Sequence, residues 1–153
     1  MSAPLYYFDD LQLGQRFVSP SYTIDKAEML EFASEFDPQP FHLDEQAAKA
    51  SVFGGLVASG WHTAAITMKL LVAGGAPLAG GIVGTGGELQ WSKPTFPGDT
   101  LQVHVEVVAA TPSKTRPDRG TVTMRCETRN QHGVPVQIFT GRLIVPRRPV
   151  AKS

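Results

Sequence analysis

The stretch from Val57 to Val72 reads VASGWHTAAITMKLLV, and it decides the fold. Lys69 is its one charged side chain, and small or apolar residues cover almost the whole surface of the helix that this stretch predicts. A helix that is apolar on all sides is normally buried. We therefore expect this helix to be enclosed by a broad surface, most naturally a curved β-sheet.

The residues that follow predict such a sheet. Apolar and polar residues alternate over 101–107 and again over 121–128, which is the pattern of strands with one face toward a core and one toward water. A further strand is predicted at 135–145. The turn residues at 97–99 (Pro-Gly-Asp) and 130–133 (Asn-Gln-His-Gly) are expected to join antiparallel neighbours.

Before the central stretch, the pattern changes from strand to helix. A strand is predicted at 17–24, and Asp25 and Glu28 then have the spacing of a capping box at the start of a helix. Pro38 ends this helix, and a short second one is expected over 44–50, capped by its aspartate. The predicted apolar stripe of the first helix comprises Met29, Phe32, Ala33 and Phe36.

Helices therefore dominate the first half and strands the second, which favours the α+β class over alternating βαβ units. The glycine-rich segment 74–87 is interpreted as a loop that leads into a strand with glycine bends. With 153 residues, 42% of them hydrophobic, the chain has the size of one domain. We predict a single domain over 1–153, with its core at about 8–145 and a short basic tail from Pro146 to Ser153.

Composition excludes several classes of function. Lys plus Arg and Asp plus Glu number 14 each, so no overall charge attracts nucleic acid or an anionic membrane. The amino terminus lacks the pattern of a secretory signal, and no segment approaches the ~20 apolar residues of a membrane span, so a cytoplasmic location is predicted. Cys126, the single cysteine, cannot form an internal disulfide and is expected to pack in the core.

The chemistry is expected in the segment between the first two helices. Asp37 and His42 lie five residues apart, with Pro38 and Pro40 between them to stiffen a loop. A carboxylate and an imidazole held in this way are suited to acid/base catalysis, such as proton transfer in the addition of water to a conjugated thioester. Each also has a structural interpretation, Asp37 as a helix-terminal turn residue and His42 as a buried histidine with its hydrogen bonds satisfied.

A third group is expected where the long helix begins, at Ala58-Ser59-Gly60. The free backbone amides and positive dipole end of a helix N-terminus stabilise an oxyanion, and Gly60 allows a ligand carbonyl to approach closely. These residues could equally be a plain helix start. No metal is expected, because the histidines and Cys126 lack the spacing of zinc ligands.

Three blocks of sequence together identify a family. They are residues 32–44 (FASEFDPQPFHLD), 53–60 (FGGLVASG) and 91–101 (WSKPTFPGDTL). In this order and with these separations they resemble the MaoC-like dehydratases and (R)-specific enoyl-CoA hydratases, and the similarity extends from Phe8 to Val145. Many of those enzymes have Asn at the position of Gln39 and His at that of Ser59, which makes the substrate, rather than the reaction, harder to predict.

The resemblance implies a hotdog fold, in which an antiparallel sheet wraps around a long central helix, and a homodimer or higher homo-oligomer with an acyl-CoA groove between subunits. It implies reversible hydration of a trans-2-enoyl-CoA to an (R)-3-hydroxyacyl-CoA without any cofactor, on a CoA or acyl-carrier thioester. Asp37 would be the favoured base, His42 its partner in proton transfer, and the Gly60 amide the oxyanion hole. A hotdog acyl-CoA thioesterase and a non-catalytic acyl-CoA or acyl-carrier binding module remain alternatives.

Two further groups of residues are candidates for contacts with the ligand. Aromatic and polar residues near the predicted site could line a pocket, and basic residues near predicted groove edges could contact the CoA phosphates. Each also has an ordinary role, as a core or a solvated residue. The pocket candidates are Ser59, Phe41, Phe53, Trp61, His62 and Trp91, and the phosphate candidates are Lys93, Lys114, Arg116 and Arg119.

Overall fold

The structure is a computed structural model that describes residues 4–150. Residues 1–3 and 151–153, the latter the end of the predicted basic tail, lie outside the described residues. Short turns of 3-10 helix at Phe8–Asp10 and of π-helix at Leu71–Gly75 accompany the main elements. These elements are β1 (Arg16–Thr23), α1 (Lys26–Phe36), α2 (Pro40–Leu43), α3 (Glu45–Lys49), α4 (Gly60–Leu70), β2 (Val83–Gln90), β3 (Thr100–Pro112), β4 (Arg119–Arg129) and β5 (Pro135–Pro146).

The strands form one antiparallel sheet in the order β1-β3-β4-β5-β2. Every second residue is buried over 101–107 in β3 and throughout β4, so the predicted alternation is confirmed. The prediction for the 130–133 turn is also confirmed, because it joins the paired strands β4 and β5. The prediction that 97–99 joins antiparallel neighbours is wrong, because the preceding strand β2 pairs with β5 at the far edge, and the Gly98 amide donates to the Ile24 carbonyl instead.

Helix α4 packs in the curve of this sheet. It begins at Gly60 because the Ser59 hydroxyl caps it by accepting from the Trp61 amide at 3.2 Å. Its buried side chains include Ile66 and Leu70, each contributing about 1.5–3 kcal/mol by burial. The α-helix ends at Leu70, before the end of the apolar stretch, and the π-helical turn follows it directly. A sheet wrapped around a long helix is the hotdog fold, so the predicted α+β class is confirmed.

Helix α1 begins with the predicted capping box. The Asp25 carboxylate accepts from the Glu28 amide at 2.8 Å, and the Glu28 carboxylate accepts from the Asp25 amide at 2.9 Å. The predicted apolar stripe is only partly correct, since Met29 and Ala33 are buried but Phe36 is 68% exposed. Phe36 is the last residue of the helix, and its ring packs on that of Phe32 rather than in the core.

The segment after α1 is more ordered than the predicted loop. Pro40 occupies the first turn of α2, where its missing N–H is not needed, and His42 therefore lies on a one-turn helix. Asp44 ends this turn and caps α3, accepting from the Gln46 amide at 2.8 Å, as the sequence predicts. Among the described residues, no helix is long and apolar enough to cross a membrane.

Two smaller predictions have clear outcomes. The strand with glycine bends is β2, whose pairing with β5 shifts register between Gly84 and Gly86. Cys126 is buried in β4, and its burial raises the pKa of the thiol to about 12. Core packing is therefore its role in the fold.

Candidate active site

Asp37 and His42 meet at the wall of a cavity of about 450 Å³. Asp37 follows the last residue of α1 and His42 lies on α2, and the sharp turn between them brings Oδ2 of the carboxylate to 3.2 Å from Nε2 of the imidazole. His42 is 5% exposed, whereas the Asp37 side chain is 15% exposed. The carboxylate and the imidazole thus form a close, largely desolvated pair that a small ligand can reach.

The orientation of the His42 ring is set by the backbone. Its Nδ1 lies 2.8 Å from the carbonyl oxygen of Val57. Because a carbonyl can only accept a hydrogen bond, Nδ1 carries a hydrogen and donates it. In the neutral ring, Nε2 is then the acceptor, and it faces the carboxylate of Asp37. Nε2 lies 3.2 Å from Oδ2 of Asp37, a separation across which a proton can pass between the two atoms.

Asp37 is held as a carboxylate by its neighbours. The Ser59 hydroxyl donates to Oδ2 at 2.7 Å, and the side-chain amide of Gln39 donates to Oδ1. Burial alone would raise the pKa of Asp37, but the hydrogen bonds from Ser59 and Gln39 and the charge and hydrogen bond of His42 outweigh it. The pKa of Asp37 therefore lies below its ordinary value of 3.8, and the group is ionised at neutral pH.

The Gly60 amide provides the third group. Two of the preceding amides are occupied, that of Ala58 by the Thr95 carbonyl at 2.9 Å and that of Val57 by the Phe41 carbonyl at 3.4 Å. The amide of Gly60, the first residue of α4, makes no hydrogen bond with another described residue, and Gly60 lines the cavity. A free N–H at the positive end of a helix is a suitable donor to an oxyanion.

Part of the predicted lining is present in this cavity. Phe41, Phe53 and Trp61 line it, and so does Trp91. Ser59 and His62 are not among the lining residues. Ser59 is 1% exposed and lies behind Asp37, and the His62 ring is turned toward α1, where it stacks on Phe32.

The predicted phosphate contacts separate into two groups. Lys93 lines the cavity beside Trp91. Lys114, Arg116 and Arg119 lie at the turn between β3 and β4. Arg119 is nine residues before Thr128 in β4, and at ~3.3 Å per residue this places it roughly 30 Å from the end of the strand near the cavity. These three basic residues do not line the cavity, and the strand carries them toward the opposite end of the sheet, so their contact with CoA phosphates stays a prediction.

Several features of the site were not predicted. The Val57 carbonyl, which orients His42, has no sequence signal because any residue supplies a carbonyl. Gln39 was noted only as a departure from the family pattern, yet it bonds directly to Asp37. Thr95, which lines the cavity and holds the Ala58 amide, lies inside the third resembling block and could have been found there.

Among residues 4–150, no group of three or more His, Cys, Asp and Glu side chains is arranged to hold a metal ion.

The fold and the site together define a hotdog-fold protein with a carboxylate–imidazole pair facing a free helix-N-terminal amide. The family model described as "MaoC like domain" matches residues 10–130. The chain belongs to this family of MaoC-like domains.

Comparisons with individual proteins agree with that membership. The chain is 37% identical over 138 residues to an uncharacterized protein, YdeM, of Bacillus subtilis, covering 90% of this chain and 95% of the relative. It is 31% identical to an (R)-specific enoyl-CoA hydratase of Rhodospirillum rubrum, covering 72% of this chain and 75% of the relative. A crystal structure of a MaoC-like dehydratase from Rhodospirillum rubrum superposes with a TM-score of 0.93 at 56% identity, covering 95% of this chain and 99% of that one.

Proposed function

We propose that this protein is a hydro-lyase that adds water reversibly to a trans-2-enoyl-CoA and forms an (R)-3-hydroxyacyl-CoA. The observation that carries the proposal is the pair formed by Asp37 Oδ2 and His42 Nε2, 3.2 Å apart in the wall of the cavity that Gly60 also lines. Hydration of a conjugated thioester needs a base for water, an acid for the α-carbon and a donor to the thioester oxygen. These three groups can supply all of them.

In the forward direction, Asp37 accepts a proton from water as the water oxygen bonds to the β-carbon. The electrons of the double bond move toward the thioester carbonyl, and the Gly60 amide stabilises the negative charge that develops on its oxygen. His42 then delivers the proton on Nε2 to the α-carbon. The product has gained one hydroxyl and one hydrogen, which together are the water consumed.

Each residue is prepared for this role by its surroundings. The lowered pKa of Asp37 keeps the base ionised, and the Val57 carbonyl fixes Nδ1 as the protonated nitrogen, so that Nε2 is the nitrogen that exchanges protons. After one turnover Asp37 holds the proton from water and His42 has lost one. Transfer between Oδ2 and Nε2 restores the starting state without a cofactor.

Relatives support the same class of reaction. They include the (R)-specific enoyl-CoA hydratase and a 3-hydroxybutyryl-CoA dehydratase of Methylorubrum extorquens, 32% identical over 112 residues. An (R)-hydratase from A. caviae, 28% identical, superposes with a TM-score of 0.68. Both directions of the proposed reaction are thus represented by name among similar proteins.

The test is loss of the conjugated enoyl-thioester absorbance with crotonyl-CoA and a panel of longer and branched enoyl-CoAs. We expect wild-type turnover, and a fall of about 10² to 10⁴ in rate for Asp37→Asn and for His42→Ala. Matched controls are Glu35→Gln on the exposed face of α1 and His132→Gln in the exposed β4–β5 turn, and both should retain activity. Chiral analysis of the 3-hydroxyacyl product should give the R enantiomer.

Other outcomes would favour other functions. Release of free CoA without a hydroxyacyl product would indicate a thioesterase. A wild type that is inactive on the whole panel but binds the thioesters, and still binds them after Asp37→Ala, would be a binding module. Loss of activity in the control variants would contradict the assignment of the acid/base pair.

We also propose that the protein acts as a cytoplasmic homodimer or higher homo-oligomer. The support is strand β2, which lies at the edge of the sheet, is mostly exposed and pairs only with β5 among the described residues. An open edge can pair with the same edge of a second copy. Light scattering coupled to size-exclusion chromatography is expected to give at least twice the 16.5 kDa chain mass, and a monomer would contradict the proposal.

A further inference from the structure

A buried polar network lies behind the cavity, and the proposed proton transfers do not use it. The indole N–H of Trp91 donates to Oε1 of Gln137 at 3.0 Å, and Nε2 of Gln137 donates to Oγ1 of Thr67 at 3.1 Å. Oγ1 of Thr67 is 2.7 Å from Oγ1 of Thr128. Gln137, Thr67 and Thr128 are each at most 2% exposed. The network therefore joins α4, β4 and β5 to the segment that follows β2.

The directions of these hydrogen bonds are fixed. The hydroxyl of Thr67 donates to the Thr63 carbonyl at 2.9 Å, so it must accept from both Gln137 and Thr128. The indole N–H is a donor only, so the carbonyl end of Gln137 must face Trp91. A buried amide left without its partner is destabilising. The network consequently holds the Trp91 ring in one position.

That position is against the first residue of α4. A Cβ atom built on Gly60 would lie 2.5 Å from Cε2 of Trp91 and within 2.8 Å of two further ring atoms. The ring also packs edge-on against Trp61, with centroids 5.1 Å apart and planes at 86°. Trp91 is 44% exposed and lines the cavity that Asp37 lines. The indole is thus a wall beside the amide that would receive the thioester oxygen.

We propose that Trp91 is a positioning and specificity-determining residue. Its indole, locked by Gln137, directs the thioester carbonyl onto the Gly60 amide and limits the width of the acyl group beside it. This inference rests on the proposed hydration. A displacement of about 1 Å at the reacting atoms can cost up to ~10² in rate, so a ring that is free to move should lower kcat more than it raises KM.

The kinetic test compares Trp91→Phe, Gln137→Met and the double variant, with Gln102→Met as the matched glutamine control. Gln102 donates to the Ser19 carbonyl on the sheet and does not line the cavity. Each single variant is expected to lower kcat on crotonyl-CoA about 10-fold, with less than a 3-fold change in KM, and to raise the relative rate on branched enoyl-CoAs. The double variant should be no worse than the more affected single one, since both remove the same hydrogen bond.

Unchanged kinetics, fully additive losses or an equal effect of Gln102→Met would overturn the proposal. Because the half-exposed Trp91 can become Phe without emptying the core, this variant tests the idea even where Gln137→Met fails to fold. Additive losses in kcat would mean that Trp91 and Gln137 affect the rate independently.

A second readout does not depend on turnover. The chain has two tryptophans, so its ¹⁵N spectrum contains two indole N–H signals, and Trp61→Phe identifies that of Trp91. The Trp91 signal is expected to exchange slowly with solvent in the wild type, quickly in Gln137→Met, and to shift when saturated butyryl-CoA is added. If the protein gives these results but is inactive on every enoyl-CoA, the proposed hydration is contradicted, while the proposal that Trp91 positions the thioester is supported. Fast exchange in the wild type, or no shift with butyryl-CoA, would overturn the role of Trp91.

Discussion

The hydroxyl of Ser59 donates a 2.7 Å hydrogen bond to Oδ2 of Asp37, joining the N-cap of α4 to the C-cap of α1. The same hydroxyl oxygen accepts from the Trp61 amide at 3.2 Å. Its single hydrogen is therefore directed to the carboxylate. One of its lone pairs accepts the hydrogen bond that caps α4, the helix that begins at Gly60. One buried side chain thus couples the proposed base to the proposed oxyanion donor.

Replacing this hydroxyl should change both stability and pH dependence. In Ser59→Ala, loss of the N-cap is expected to cost about 0.5–2 kcal/mol in the free energy of unfolding. Because a hydrogen bond that stabilises the carboxylate is lost, the pKa of Asp37 should rise, and the acid limb of the pH profile of kcat/KM should move to higher pH. Ser34→Ala, which removes an exposed hydroxyl bonded to the Glu31 carbonyl, is the control. An acid limb that stays in place or moves to lower pH would contradict the assignment of Asp37 as the base.

Gly60 should not tolerate a side chain. The Cβ of Gly60→Ala would lie 2.5 Å from the Trp91 ring, so either the ring or the start of α4 must move. Overpacking of this kind typically costs about 1–3 kcal/mol. Urea unfolding should show that loss for Gly60→Ala and a change of no more than about 0.5 kcal/mol for Gly55→Ala, whose nearest contact is an ordinary 3.8 Å. Equal stability of the two variants would mean that the packing of Trp91 on Gly60 does not constrain the helix.

The central helix and the alternating strands were predictable because the first follows from local composition and the second from local periodicity. The run from Val57 to Val72 has too few polar residues for a surface helix, and the burial of β3 and β4 follows their two-residue repeat. The capping box of Asp25 and Glu28 likewise depends on residues three apart. Local spacing and the family resemblance together indicated Asp37 and His42, which the structure brings within 3.2 Å of each other.

What the sequence did not predict depends on long-range geometry. Alternation indicates which face of a strand is buried but not which strand lies beside it, so the pairing of β2 with β5 was missed. Alternation also does not indicate at which end of the sheet a residue lies, so the distance of Arg119 from the cavity was not predicted. The network behind Trp91 joins residues up to 70 positions apart, and no local pattern marks such contacts.

Asp99 is expected to stabilise the turn that leads into β3. Its two carboxylate oxygens accept from the Phe96 amide and from the side-chain amide of Gln131, each at 2.9 Å, and the residue is 8% exposed. Asp99→Ala removes the acceptor of both hydrogen bonds and should lower the free energy of unfolding by about 1 kcal/mol, because the donors Phe96 and Gln131 are exposed and water can replace the carboxylate. Asp118→Ala, at an exposed turn, should change it by no more than about 0.5 kcal/mol. A similar loss in both variants on chemical denaturation would show that the two hydrogen bonds of Asp99 do not stabilise the fold more than an exposed turn residue does.

His62 should make stability depend on pH near neutrality. It is 6% exposed, its Nδ1 has no hydrogen-bond partner among the described residues, and its Nε2 is 3.7 Å from the Glu28 carboxylate. Burial lowers the pKa of His62 below its ordinary value of 6.5, and the charge and hydrogen bond of Glu28 oppose this only in part. Between the lowered pKa and 6.5, the unfolded chain therefore binds more protons at this residue than the folded one does.

The stabilising effect of a neutral His62 is thus complete above about pH 6.5 and is lost as the pH falls toward the lower folded-state pKa. In His62→Gln, the decrease in the free energy of unfolding between pH 7 and pH 5 should be smaller than in the wild type. The difference in slope should not exceed about 1.4 kcal/mol per pH unit, the limit for one proton. Because desolvation also lowers the pKa of His104, His104→Gln should remove a separate share of the slope. The measurement is a series of denaturation experiments at several pH values. If the free energy of unfolding depends on pH equally in His62→Gln and in the wild type, His62 is protonated as easily in the folded state as in the unfolded one.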